Sequence, residues 1–191
     1  VDHALYDSTR GINAAIFSSA NGAEGTFSNQ FKSFDSDGFT VALADDTSFG
    51  LNRNSSPFVA WNWKANGGTT TSVSESGNNP ANVRQTNATA GFSIITYTGT
   101  GAAGTIAHGL GAVPKWIITK TRSHTGDWMV YHGENTAAPE TDFLKLNETN
   151  ATEDLNTVYN DVAPTSSVFT LGSNGDVNTD GRTQIAYVFA E

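Results

Sequence analysis

His108 is the first residue whose type could do chemistry. It stands in IAHGLGAVPKWIITK, Ile106 to Lys120, between small residues and ahead of an apolar run. An imidazole serves as a general base or a metal ligand, but the first role needs a nucleophile or orienting carboxylate and the second needs further ligands. The surrounding sequence shows no nucleophile motif. Gly109 and Gly111 permit positive φ on either side of Leu110, and Pro114 fixes the return into the next strand. The expected role of His108 is a turn corner whose ring packs over the loop and hydrogen-bonds its backbone. His3, His124 and His132 are spaced too widely to suggest a shared metal and are read as structural or solvated.

The run NGDVNTDGR offers a second chemistry. Asp176, Asn178, Asp180 and Gly181 match the opening of a calcium loop, D-x-N-x-D-G. The twelfth position, which should be a bidentate glutamate, is Tyr187, and no helical pattern flanks the loop. A turn rich in Asn and Asp is the preferred reading, and calcium at Asp176, Asn178 and Asp180 is the alternative. The same choice holds for Asp35 to Gly38, DSDG. Glu134, Glu140 and Asp142 share one loop, but no spacing marks any two as an acid and base pair. The Asn-x-Ser/Thr sequons at Asn54, Asn87, Asn147 and Asn150 are expected by chance in so Asn- and Thr-rich a chain.

Aromatic residues give the third possibility. Trp61 and Trp63 lie two apart, on one face of an expected strand from Phe58 to Trp63. Exposed, they would stack on sugar rings, as Trp128 also could; buried, they would be a core seam. Tyr187 and Phe189 occupy the matching places in a second stretch of the chain, which favours the core.

The elements that must position these residues follow from composition. The 191 residues are 37% hydrophobic, 10% aromatic and only 15% charged, with 43 Asn and Thr residues. Such a chain favours short strands and many turns over helices. Its net charge of −9 argues against nucleic acid or an anionic membrane as partner. The absence of cysteine rules out disulfides and thiolate zinc. No apolar run is long enough for a membrane helix, and no signal peptide is visible. Phe92 to Tyr97, Lys115 to Lys120, Trp128 to Tyr131 and Ile185 to Phe189 read as strands, Thr141 to Leu146 and Val168 to Leu171 as shorter ones. Helical turns are expected only within Ala14 to Ser19 and Ala151 to Tyr159.

An internal repeat organises the chain. Phe39-Thr40 matches Phe169-Thr170, and Val59-Ala60-Trp61-Asn62-Trp63 matches Ile185-Ala186-Tyr187-Val188-Phe189. Upstream, Ala4 to Asp7 aligns with Met129 to His132, whereas Gly91 to Arg122 has no counterpart in the first copy. The expected fold is therefore all-β, with two related β-sandwich-like modules, the first truncated on its N-terminal side. Residues 1–65 would be the back part of the first module, 66–90 a polar linker or extended arm, and 91–191 a complete second module. The first module's missing strands would be supplied by preceding residues of a longer chain, by the second module, or by a neighbouring subunit.

YDSTRGIN (Tyr6 to Asn13), SFDSDGFT (Ser33 to Thr40), VAWNWKANGG (Val59 to Gly68), GFSIITYTGTG (Gly91 to Gly101) and HGLGAVPKWIITK (His108 to Lys120) together resemble a repeated module of bacteriophage virion proteins. In that resemblance the module belongs to structural proteins of marine phages, above all tail-fibre and tail-spike components. It implies a non-enzymatic protein of the virion, assembled in the host cytoplasm, with other virion proteins and its own copies as partners, a trimer first among oligomers. It carries no cofactor and no catalytic residues to this chain. The second copy shows Tyr131-His132-Gly133-Glu134 where the resemblance has DSTRG, so Asp7 and Arg10 are read as a local turn. Two other functions stand behind the structural one: a carbohydrate-binding adhesin that uses Trp61, Trp63 or Trp128 on a host surface glycan, and a polysaccharide depolymerase.

Overall fold

Three segments dense in β-branched and aromatic residues form the middle of the protein, because such side chains pack well on a pleated sheet covered on both sides. The computed structural model describes residues 2–42 and 50–190. In chain order its strands are β1 (Ala4–Asp7), β2 (Gly11–Phe17), β3 (Gly25–Thr26), β4 (Phe31–Phe34) and β5 (Phe39–Val41). Next come β6 (Thr71–Val73), β7 (Asn82–Asn87), β8 (Phe92–Thr98), β9 (Gly104–Ala107), β10 (Trp116–Thr121) and β11 (Met129–His132). β12 (Asp142–Lys145), β13 (Glu153–Asp154), β14 (Val168–Leu171) and β15 (Thr183–Phe189) complete the strands, with single-turn helices α1 (Asn156–Tyr159) and α2 (Gly175–Asn178) between them. The fold is all-β and sandwich-like, as the sequence leads one to expect.

The largest sheet has eight strands in the order β13-β12-β11-β10-β15-β8-β7-β6, and every pairing in it is antiparallel. β15 lies between β8 and β10, with Tyr187 opposite both Ile94 and Ile118. Side chains alternate across this sheet. Ile95, Tyr97, Ile117, Ala186 and Val188 face an inner core roofed by β9, β14 and both helices, through Ile106, Phe169, Leu171, Val158 and Val177. Phe92, Ile94, Ile118, Ile185, Tyr187 and Phe189 face an outer core closed by Leu5 and Ile16 of β1 and β2. Beyond these, Tyr6, Phe31, Phe34 and Phe39 stack over the β4–β5 hairpin.

Residues 66–90 depart from the expected linker. They supply β6 and β7, and β7 pairs with β8 over its whole length. β7 is hard to read because its residues, NVRQTN, are polar and satisfied by side-chain bonds: Arg84 Nη1 donates to the Ala107 carbonyl at 3.3 Å and Thr86 Oγ1 to that of His108 at 3.0 Å. The expected helical turn at Ala14 to Ser19 is instead mostly strand β2, held by pairing with β1. The expected strand from Phe58 to Trp63 is coil, and most of its side chains face solvent. Of the described residues in 1–65, Leu5, Ile16 and Ala65 pack into the outer face of the large sheet.

Candidate functional site

The densest polar constellation joins the two ends of the chain. Asp7, at the end of β1, accepts backbone N–H bonds from Thr9 and Arg10 at 3.0 and 2.9 Å through one oxygen, which closes a tight turn. Its other oxygen takes Arg10 Nε at 2.5 Å and the Tyr187 hydroxyl at 2.8 Å. Arg10 Nη2 donates to the same Tyr187 oxygen at 3.1 Å, and Nη1 to Glu24 at 3.0 Å. Glu24 is held from its other side by Arg122 at 2.8 and 2.9 Å. Burial pulls the Arg10 guanidinium toward neutrality, but Tyr187 and Asp7 outweigh it and lock the charge on. Burial likewise lifts the Tyr187 hydroxyl far above its ordinary range. Every donor of Arg10 is spent inside the protein, so the network fastens the N-terminal hairpin to the sheet and has nothing left for a ligand. On the other side of the same turn, Gln85 of β7 accepts from Ser8 at 3.2 Å and from the Gly68 N–H at 2.9 Å, and donates to Thr9 at 3.0 Å.

His108 sits in the turn after β9 and is fully buried. Its Nδ1 accepts the Leu110 N–H at 3.2 Å, which makes Nε2 the protonated nitrogen that donates to the Thr165 carbonyl at 3.1 Å. Burial lowers its pKa, and the ring is a neutral corner piece with both nitrogens occupied. This is the role its spacing suggests.

The calcium reading of NGDVNTDGR is not met by the geometry. The Asn178 side chain is buried and fully used: it donates to the carbonyls of Ala102 and Gly172 at 2.7 and 2.9 Å and accepts the Thr100 N–H at 2.9 Å. Asp176 begins α2 and leans on Gly126, while Asp180 lies against Gly101. Among the described residues no three acidic or histidine side chains converge on a point where a cation could sit. In Asp35 to Gly38 the carboxylate of Asp35 accepts from Thr40 at 2.9 Å across the β4–β5 hairpin.

The three tryptophans part company. Trp128 is wholly buried in the outer core, and its indole N–H is shared by the carbonyls of Phe17 and Ala20 at 2.9 and 3.0 Å. It cannot stack on a sugar. Trp61 is 73% exposed and Trp63 51%, alongside Val59 at 78% and Phe58 at 51%. This reverses the expectation that Trp61 and Trp63 form a core seam. Trp63 leans with its edge toward Phe189, ring centres 5.7 Å apart, and Phe189 continues to Phe92 at 4.8 Å and Trp116 at 4.9 Å. An aromatic ladder thus runs out of the sheet to the surface. It opens on a broad groove of about 1910 Å³ lined by these apolar side chains together with Asp35, Asp37, Asn62 and Lys64. Apolar rings beside short polar groups match a ligand with one C–H face and a hydroxyl rim.

The family described as a domain of unknown function (DUF7483) matches residues 1–191. The chain belongs to this family. No curated protein and no solved structure matches it. As a DUF7483 domain, it presents an interior stapled by charge and a surface marked by unburied aromatics. The sequence signals for the staple were Asp7 and Arg10 at their i, i+3 spacing, but the partner Tyr187 lies 177 residues from Arg10 and left no local trace.

Proposed function

We propose that the protein is a structural component of a phage virion surface, a tail-fibre or tail-spike module that takes part in host attachment. The observation that carries this reading is the solvent-facing run Phe58-Val59-Ala60-Trp61 on a rigid β scaffold. Exposed large aromatics cost solubility and are retained where something binds. The internal use of Arg10, Arg122, Asp7 and Glu24 supports it, because side chains so employed stiffen a scaffold. The resemblance of YDSTRGIN, VAWNWKANGG and GFSIITYTGTG to virion modules supplies the setting, with other virion proteins as partners. Mass spectrometry of purified particles tests the reading: the chain should be found in intact virions, and purified protein should compete with phage for adsorption to host cells. Absence from the particle rejects it.

A second reading is favoured by the groove itself. The rings of Trp61 and Trp63 beside Asp35, Asp37 and Asn62 suit a host surface glycan, so the protein would act as a carbohydrate-binding adhesin. A glycan array read with the wild type and with Trp61→Ala decides it, since only a stacked sugar is lost with the indole.

A further inference from the structure

Phe58 to Trp63 is a strand in composition and a coil in structure. None of its backbone N–H or C=O groups makes a hydrogen bond among the described residues. Yet the segment is β-branched and aromatic, follows Pro57 with no further proline, and repeats the pattern of β15. In β15 that pattern has an antiparallel neighbour on each side, Ile185 to Phe189 pairing with Phe92 to Thr96 and with Trp116 to Lys120. Among the described residues, the first copy of the pattern has neither neighbour. Unpaired backbone beside exposed apolar side chains is a template for strand addition.

Charge selects the partner. Asn54 to Trp63 contains no charged residue in a chain of net charge −9, so this is a place where two copies can approach without opposing carboxylates. Lys64 flanks it and would meet the net-negative surface of an approaching copy. An antiparallel pairing of one segment with itself is also closed by a two-fold axis, which limits growth to a dimer. We propose that Phe58–Trp63 is a strand-pairing site for the same segment of a second copy of this chain. In the pair, Val59, Trp61 and Trp63 of each strand fall on one face and Phe58, Ala60 and Asn62 on the other. Four indoles then share one surface. The pairing does not depend on the virion reading, and it differs from the trimer that the resemblance implies.

The test uses the whole 191-residue chain. Sedimentation velocity over a wide concentration range should show a monomer–dimer equilibrium, and hydrogen exchange at Phe58 to Trp63 should slow as the dimer fills. Ala60→Pro removes one pairing N–H at a position that bonds none of the described residues, so the fold should stay intact while the dimer weakens by about tenfold or more. Trp61→Asp, which sets a negative charge in each strand of the pair, should weaken it similarly. A chain that stays monomeric with Phe58 to Trp63 exchanging at the unprotected rate overturns the proposal. So does a dimer untouched by both variants, a trimer, or protection that appears only when a glycan is added to the monomer.

Discussion

The Tyr187 hydroxyl donates to Asp7 at 2.8 Å while accepting from Arg10 at 3.1 Å, so one phenol in the central strand ties together a carboxylate and a guanidinium from the opposite end of the chain. Removing it takes one hydrogen bond from each of two buried charges, which remain paired with each other. Tyr187→Phe should lower stability by about 2–3 kcal/mol in denaturant unfolding. Tyr6→Phe is the control: the Tyr6 hydroxyl is buried with no hydrogen-bond partner among the described residues, so its loss should be neutral or slightly stabilising.

Glu24 sets an acid limit. Burial alone would raise its pKa, but hydrogen bonds from Arg122 and Arg10 prevail and place it below the ordinary 4.5. A carboxylate depressed in the folded state contributes fully above its unfolded pKa and loses that contribution as pH falls through the folded one. The stability gap between wild type and Glu24→Gln should therefore be widest near neutrality and shrink below about pH 4.5, as chemical denaturation at a series of pH values would show.

Lys120 acts at the alkaline side. Its ammonium is buried with the carbonyls of Thr121 at 2.7 Å and Asn21 at 3.3 Å, and burial, opposed by Asp176 and Asp127, brings its pKa from 10.5 to about 8. Below pH 8 both folded and unfolded chains carry the proton, and the folded chain bears the cost of the buried charge. From about 8 to 10.5 the unfolded chain binds more protons, so stability rises with pH. Wild type should gain on the order of 2 kcal/mol relative to Lys120→Met across that window, allowing for solvent screening. A flat difference between the two proteins would show the amine to be ordinary.

Gln184 lies fully buried in β15, and among the described residues neither of its amide atoms nor the hydroxyl of Thr121 opposite it on β10 has a hydrogen-bond partner. Gln184→Met keeps the volume and removes both polar atoms. Thermal unfolding should show it unchanged or about 1 kcal/mol more stable; a clear loss would mean the amide is satisfied.

The tryptophans separate surface from core. Trp61→Ala should leave stability within about 0.5 kcal/mol, whereas Trp128→Ala should cost about 3–5 kcal/mol through lost burial and the lost indole bonds to the Phe17 and Ala20 carbonyls. Equal effects would contradict their opposite exposures.

The strands β8, β10 and β15 are legible because Ile94-Ile95, Ile117-Ile118 and Ile185-Ala186-Tyr187-Val188 are apolar on both faces, and only a doubly covered sheet uses such runs. β7 is not, since Arg84, Gln85 and Thr86 pair by side-chain hydrogen bonds that no hydrophobic period records. Phe58 to Trp63 misleads for a different reason. Its pattern is that of β15, but strand formation depends on neighbours as well as on propensity, and among the described residues the second copy has them and the first does not. The His108 corner was readable from Gly109, Gly111 and Pro114 because a turn is local. The Tyr187–Asp7 tie was not, because it spans 180 residues.

The position of β15 in the sheet also dictates an order of events. β6 to β8 and β10 to β13 can each assemble by hairpin-like steps as they leave the ribosome, giving two half-sheets. Until Thr183 to Phe189 emerges, β8 and β10 each present an open apolar edge to the other and to anything nearby. β15 is thus a keystone: the two half-sheets should join once it is made, and the interval before that should be the one in which open edges most favour aggregation. A nascent chain stalled before Thr183 should bind chaperones strongly and release them once Phe189 has cleared the exit tunnel.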